Sequence, residues 1–263
     1  MRQIGSADNP RFKALRKLLQ SSQERRRTEL SLLDGIHLVA TYCDKVGMPE
    51  QLAVSRSGLA DPEIAELLRK TLRVELLVLS DSLFKQLSSV TTPTGILAVV
   101  KTPRPQPMPA ALDACVMLED VQDPGNLGSI LRSAAAAGVR HVLLSERSVH
   151  AWSPRVLRAA MGAHFVLNIY EFVNLLDATR AFPGTIIATR QRATRSLYDV
   201  DLTGEIALLF GNEGAGLSRK LLAVAHEVVA IPMPGKVESL NVAATAAVCL
   251  FERVRQIRVS SKR

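Results

Sequence analysis

Three short segments hold most of the residues able to do chemistry: "LEDVQDPGNLGSILR" (118–132), "LLFGNEGAGLS" (208–218) and "IPMPGKVESLN" (231–241). The first supplies Asn126 and Arg132, the second Glu213, the third Ser239 and Asn241. Amides and hydroxyls orient partners, a carboxylate accepts N–H groups, and a guanidinium grips anions in a fixed fork. Gly211, Gly214 and Gly216 permit tight turns and let a ligand approach the backbone closely. This composition suits a ligand-holding site with an anion contact. Each residue also has a plain structural reading: Asn126 and Ser239 make good helix caps, and Glu213 could tie loops together.

Several chemistries are disfavoured. Neither glycine loop fits G-x-G-x-x-G in register and no G-K-[ST] follows, which argues against a nucleotide-binding oxidoreductase or a nucleoside triphosphatase. His141, His150, His164 and His226 show no metal-ligand spacing. Methylation of a pyrimidine carbon needs an activated thiolate. Cys115 falls in an apolar strand-like run and Cys249 in an apolar helix, so neither sits in the three segments. Trp152, beside Ser153-Pro154, reads equally as a base-stacking or a packed indole.

Elements must hold these segments in place. Unbroken apolar runs at 115–119, 141–145, 165–169, 185–189, 206–210 and 228–231 alternate with helical stretches such as "SILRSAAAAG", "SPRVLRAAMG" and "LSRKLLAVAH". Such runs suit strands buried on both faces of a parallel sheet, where ligands bind beyond the carboxyl ends of the strands. "TPRPQPMP" (102–109), with four prolines in eight residues, predicts an extended spacer. It divides the chain into a first domain over 1–103, a linker over 104–109 and a second domain over 110–263. Within the first, "NPRFKALRKLLQ" predicts a basic helix capped at Asp8 or Asn9 with Pro10 in its first turn. Shorter α and β runs follow.

The net charge is +8, and it lies at the ends. Residues 1–27 carry +6 and residues 253–263 carry +5, leaving −3 on the 225 residues between them. Two basic ends suit a polyanion such as nucleic acid, and equally a pair of solvated tails. Cys43, Cys115 and Cys249 are odd in number and widely spaced, which fits a reducing cytoplasm. No apolar run approaches a membrane span and the first residues lack an apolar signal region, so the expectation is a cytoplasmic protein without a membrane or metal partner.

Taken together and in this order, N-L-G-S-I-L-R, F-G-N-E-G-A-G-L-S and I-P-M-P-G-x-x-E-S-L-N-V resemble the three motifs of the SpoU (TrmH-like) family of RNA ribose 2′-O-methyltransferases, part of the knotted SPOUT superfamily. The resemblance covers residues 114–256; the region before the linker is similar, less specifically, to that family's small ribosomal-protein-like RNA-binding domain. It implies an α/β fold: a deep trefoil-knot domain with a mostly parallel sheet, preceded by a small α/β substrate-binding domain. It implies S-adenosyl-L-methionine as cofactor, held against Leu209, Gly211, Ile231, Met233, Leu240 and Val242. It further implies a homodimer with the final helix in the interface, and catalytic roles for Arg132, Asn126, Glu213, Ser239 and Asn241.

Methyl transfer to a ribose hydroxyl requires the 2′-oxygen to stand behind the methyl group and to lose its proton. Arg132 is expected near the 2′-hydroxyl and the adjacent phosphate. A guanidinium keeps its own proton at ordinary pH, so orienting the phosphate and stabilising the developing alkoxide is its easier role. The separate small domain and the basic first helix favour ribosomal RNA as substrate. Transfer RNA, methylation of a base nitrogen, and a non-catalytic RNA-binding or ribosome-assembly protein on the same fold remain alternatives; affinity for S-adenosylmethionine separates the last of these.

Overall fold

The computed structural model describes residues 1–88, 92–109 and 113–260. Ala110–Leu112, which open the expected second domain, and Lys262 and Arg263 of the basic end lie outside the described residues. The chain forms two compact units, Met1–Pro103 with Trp152–Phe165, and Arg104–Ala151 with Val166–Arg263.

The first unit contains β1 (Arg2–Ile4), α1 (Pro10–Gln20), α2 (Ser22–Thr28), β2 (Leu30–Asp34), α3 (Ile36–Lys45), β3 (Gln51–Ser55), α4 (Pro62–Lys70), β4 (Glu75–Leu79), α5 (Asp81–Lys85) and β5 (Ile96–Lys101). Its sheet runs β1-β4-β3-β5-β2, parallel from β1 through β3 and antiparallel across β5 to β2. Asn9 caps α1, its Oδ1 accepting from Arg11 N at 2.9 Å, and Pro10 opens the helix. Phe12, Leu15 and Leu18 are buried, leaving the basic positions of α1 outward as the 3.6-residue period dictates.

The second unit contains β6 (Ala114–Leu118), α6 (Pro124–Ala136), β7 (His141–Leu144), β8 (Asn168–Tyr170), α8 (Leu175–Ala181), β9 (Thr185–Thr189), β10 (Arg195–Ser196), β11 (Ile206–Phe210), α9 (Arg219–Val224), β12 (Glu227–Ala230) and α10 (Val242–Ser260); α7 (Pro154–Ala160) belongs to the first unit. Among the described residues its sheet runs β10-β12-β9-β11-β6-β7-β8, with every pairing parallel. The central β6 and β11 are buried along their whole length, which is why their runs are apolar without alternation. Cys115, Met117, Ala207 and Leu209 face a cluster that includes Leu175 of α8 and Leu221 of α9. Across the sheet, α10 packs on α6 and β11.

Two boundaries differ from the sequence reading. The run 165–169 was expected as a strand, but the strand is 168–170 and Ala163–Phe165 forms a 3-10 turn. Phe165 is drawn instead onto Tyr42, edge to face with centroids 5.4 Å apart, so its apolar surface serves a different packing. Strand β10 carries no apolar run at all. Its Arg195 pairs with Val229, the same residue that pairs with Thr189 of β9 on the other side. The 190–194 connection therefore arcs past the end of β12, which is later in sequence than both strands it separates. Among the described residues no helix is long and apolar enough to cross a membrane.

Candidate functional site

The three polar segments lie at the carboxyl ends of β6, β11 and β12, in the second unit. The first enters α6, whose cap is Asp123, not Asn126: Asp123 Oδ1 accepts from Asn126 N at 2.8 Å, with Pro124 in the first turn. Relieved of capping, the Asn126 side chain projects toward the other two loops.

Glu213 lies at the centre. Its Oε1 accepts from Asp123 N at 3.0 Å and Asn126 Nδ2 at 3.1 Å, and its Oε2 accepts from Gln122 N at 3.2 Å. Burial alone would raise the Glu213 carboxyl; the Asn126 amide and the surrounding backbone N–H groups together outweigh it and hold the group below the ordinary range. Glu213 is therefore a well-solvated carboxylate in effect, a hub for the first two loops. The tie-residue reading of Glu213 is thus realised in the geometry.

Asn241 connects the third loop. Its Nδ2 donates to Asn126 Oδ1 at 2.8 Å, while its Oδ1 accepts from Ala243 N at 2.8 Å and Ala244 N at 3.4 Å. Asn241, not Ser239, is the residue that caps α10, and it caps and reaches the first loop at once. An asparagine does both because its amide carries acceptor and donor on one planar group. A serine in its place would keep the cap and lose the reach.

Arg132 is not part of this network. Six residues beyond Asn126, it stands roughly 120° round the helix and about 9 Å along the axis. Its side chain is exposed, and it has no hydrogen-bond or ion-pair partner among the described residues. Ser239 is likewise exposed and lies in the cavity wall.

A cavity of about 350 Å³ opens beside the network, between the ends of β9, β11 and β12. Gly211, Ile231, Met233, Leu240 and Val242 line it, together with Ser239 and Glu213. Leu209 does not; it is fully buried within β11, and its carbonyl accepts from Thr189 Oγ1 at 3.0 Å. Thr189, Arg190, Gln191 and Arg192 also line the cavity, and the sequence reading had not singled them out. The end of the "TIIAT" strand was the available signal, since ligands gather at strand carboxyl ends. The second loop is tight: Asn212 and Gly216 pair through both backbone bonds, at 3.1 and 2.9 Å. A Cβ on Gly211 would stand 2.1 Å from the Gly216 carbonyl carbon, so only glycine lets the loop fold back on itself.

The remaining candidates are structural. Trp152 is packed, 5% exposed, with its ring 4.9 Å from that of His164. Burial pushes the thiols of Cys115 and Cys249 up to about 12, which keeps both protonated and unreactive near neutral pH.

Comparison with known proteins agrees with this geometry. Residues 113–251 match the model of the SpoU rRNA Methylase family, and residues 9–98 match the MRM3-like substrate binding domain. An uncharacterized tRNA/rRNA methyltransferase of Synechocystis sp. is 34% identical over 260 residues, spanning 96% of this chain and 93% of the relative. The 23S rRNA (guanosine(2553)-2′-O)-methyltransferase RlmP of Bacillus subtilis is 29% identical over 253 residues, with 95% and 98% covered. The crystal structure of an AdoMet-bound rRNA methyltransferase from Sinorhizobium meliloti superposes with a TM-score of 0.83 at 26% identity, covering 97% of this chain and 98% of that one. On the family match, the whole-length relatives and the three joined loops, the chain belongs to the SpoU rRNA methylase family.

Proposed function

We propose that this protein methylates a ribose 2′-hydroxyl of ribosomal RNA, using S-adenosylmethionine. The observation that carries the reading is the continuous hydrogen-bond chain Glu213–Asn126–Asn241, which joins all three family motifs beside one cavity. Ribosomal RNA is favoured over transfer RNA because the whole-length relative of stated activity acts on 23S rRNA.

The cavity fits the cofactor. Ile231, Met233, Leu240 and Val242 give apolar walls, and the folded-back glycine loop leaves backbone close to the ligand. When bound, S-adenosylmethionine supplies an electrophilic methyl group. Gly211 and the 231–242 segment would hold it. Glu213, kept ionised by its donors, fixes the first loop against the second. Asn126 and Asn241 then present a rigid polar edge where the ribose stands, and Ser239 adds a hydroxyl from the cavity wall. Arg132, exposed and without a protein partner, orients the phosphate next to the target and stabilises the charge that develops on the 2′-oxygen.

The working form is a homodimer joined through α10. Phe251 and Val259 on that helix are 49% and 45% exposed, apolar surface that a partner helix would cover. The fold is a trefoil knot: β12 sits between β9 and β10, and the 190–194 connection arcs past its end. Behind it, Gln256 of α10 accepts from Leu202 N at 2.8 Å and donates to Val200 O at 3.1 Å, fastening the last helix to the segment that follows β10. Titration calorimetry with S-adenosylmethionine tests the reading: measurable one-site binding is expected, and no detectable affinity would favour a non-catalytic RNA-binding protein.

A further inference from the structure

A second cavity of about 410 Å³ lies at the carboxyl ends of β6 and β7 and beside the segment after β8. It shares no lining residue with the first. The two flank the motif loop that follows β11: residues 211–217 face the first cavity, and Ser218 and Lys220 face the second. Asn212 Nδ2 donates to Asp120 O at 2.8 Å, so the loop is pinned to the second cavity's wall.

Among the described residues four non-glycine residues have left-handed φ, and two of them, Asp120 at 56° and Phe172 at 61°, line this cavity. That conformation is unfavourable for side chains with a Cβ, and most for bulky ones. It persists where surroundings over-determine it, and such positions cluster at functional sites. For Asp120 the surroundings are clear. Its N donates to Ser145 Oγ at 2.8 Å, its Oδ1 accepts from the same hydroxyl at 2.7 Å, and its Oδ2 pairs with Arg147. Asp120 thereby holds the Arg147 guanidinium, 79% exposed, at the cavity.

Phe172 is the opposite case. It adopts the same unfavourable backbone and yet stays 51% exposed, so burial of the ring offers only part of the usual compensation. The fold presents an aromatic surface at the cavity, with the Arg147 and Lys220 cations in the same lining. Aromatic rings beside cations recognise single-stranded nucleic acid, the ring stacking on a base and the cations taking phosphates. We propose that this second cavity is a nucleobase subsite for substrate RNA, in which Phe172 stacks on a base near the target ribose and Arg147 and Lys220 contact the adjoining phosphates. The inference rests on the RNA-methyltransferase reading for the identity of the ligand.

Two experiments on the full chain decide it. Ultraviolet cross-linking to 23S rRNA, followed by mass spectrometry, needs neither cofactor nor turnover. A nucleotide adduct is expected on the peptide bearing Phe172; adducts confined to other peptides overturn the subsite. Kinetics with 23S rRNA and labelled S-adenosylmethionine supply the second readout. Phe172→Ala is expected to raise KM for RNA roughly 5- to 100-fold, with the loss in KM and not in kcat, and with cofactor affinity by calorimetry intact. Phe172→Trp restores KM. An unchanged KM in the alanine variant, or no rescue by tryptophan, overturns the proposal. Failure of the wider reading looks different: the unaltered protein then shows no cofactor affinity and no methylation, while the cross-link still decides the subsite.

Discussion

The side-chain amide of Asn241 donates to the carboxamide oxygen of Asn126 at 2.8 Å, across 115 residues of chain. Through Asn126 the link continues to Glu213. One residue thus caps the last helix and locks the third loop to the first. Replacing Asn241 by alanine removes a helix cap, which lowers stability by about 1 kcal/mol. It also frees Asn126, and misplacement of a polar edge by about 1 Å lowers turnover on the order of 10²-fold. Denaturant melts together with methylation rates check this. Asn241→Ser separates the two effects, with stability retained and turnover still low; full activity in the serine variant would show that the Asn126 bond is dispensable.

Arg132 stands outside that network, exposed and unpaired among the described residues. Its removal therefore disturbs no protein contact. Arg132→Ala is expected to leave the melting temperature and the cofactor affinity unchanged while methylation falls on the order of 10²- to 10³-fold. Normal turnover in this variant would remove Arg132 from the mechanism.

Glu213 gives a pH signature. Folding lowers its pKa, so the folded protein holds this proton less tightly than the unfolded chain. Its contribution to stability is therefore present above the unfolded carboxylate value of about 4.5 and is lost as the pH falls through the lower folded value. Glu213→Gln keeps the shape and loses the charge. Thermal melts between neutral pH and the acid range should show a shallower decline for the glutamine variant below pH 4.5. Parallel declines for the two proteins would contradict the hub role.

The dimer predicts a change of mass. Phe251→Asp places a charge on exposed apolar surface of α10, tolerable in a monomer and costly in an interface. Sedimentation at micromolar concentration should show a dimer for the unaltered chain and a monomer for the variant. A monomer in both would remove α10 from the assembly.

Much of this was legible in the sequence because the relevant signals are local. The runs at 115–119 and 206–210 became β6 and β11 almost residue for residue, since strands buried on both faces tolerate no polar alternation. Glycines 211 and 216 marked a loop whose closure excludes any side chain at Gly211. What escaped depends on long-range placement. The assignment of α10's cap to Asn241 instead of Ser239 turns on where the third loop meets Asn126. The cavity wall at 189–192 exists because β10 skips past β12, and "RQRATRS" carries no period that announces it. Phe172 was silent for the same reason: only backbone angles set it apart from a core phenylalanine.

The central claim is transfer of a methyl group to a ribose hydroxyl of ribosomal RNA. Ribosomal RNA from a strain lacking this protein, incubated with the purified chain and methyl-labelled S-adenosylmethionine, tests it most directly. Alkaline hydrolysis cuts RNA at every nucleotide whose 2′-hydroxyl is free and leaves a methylated position joined to its neighbour. The account predicts label in an alkali-resistant dinucleotide at one position of the large-subunit RNA. Label on a base, or no transfer to any RNA, would contradict it.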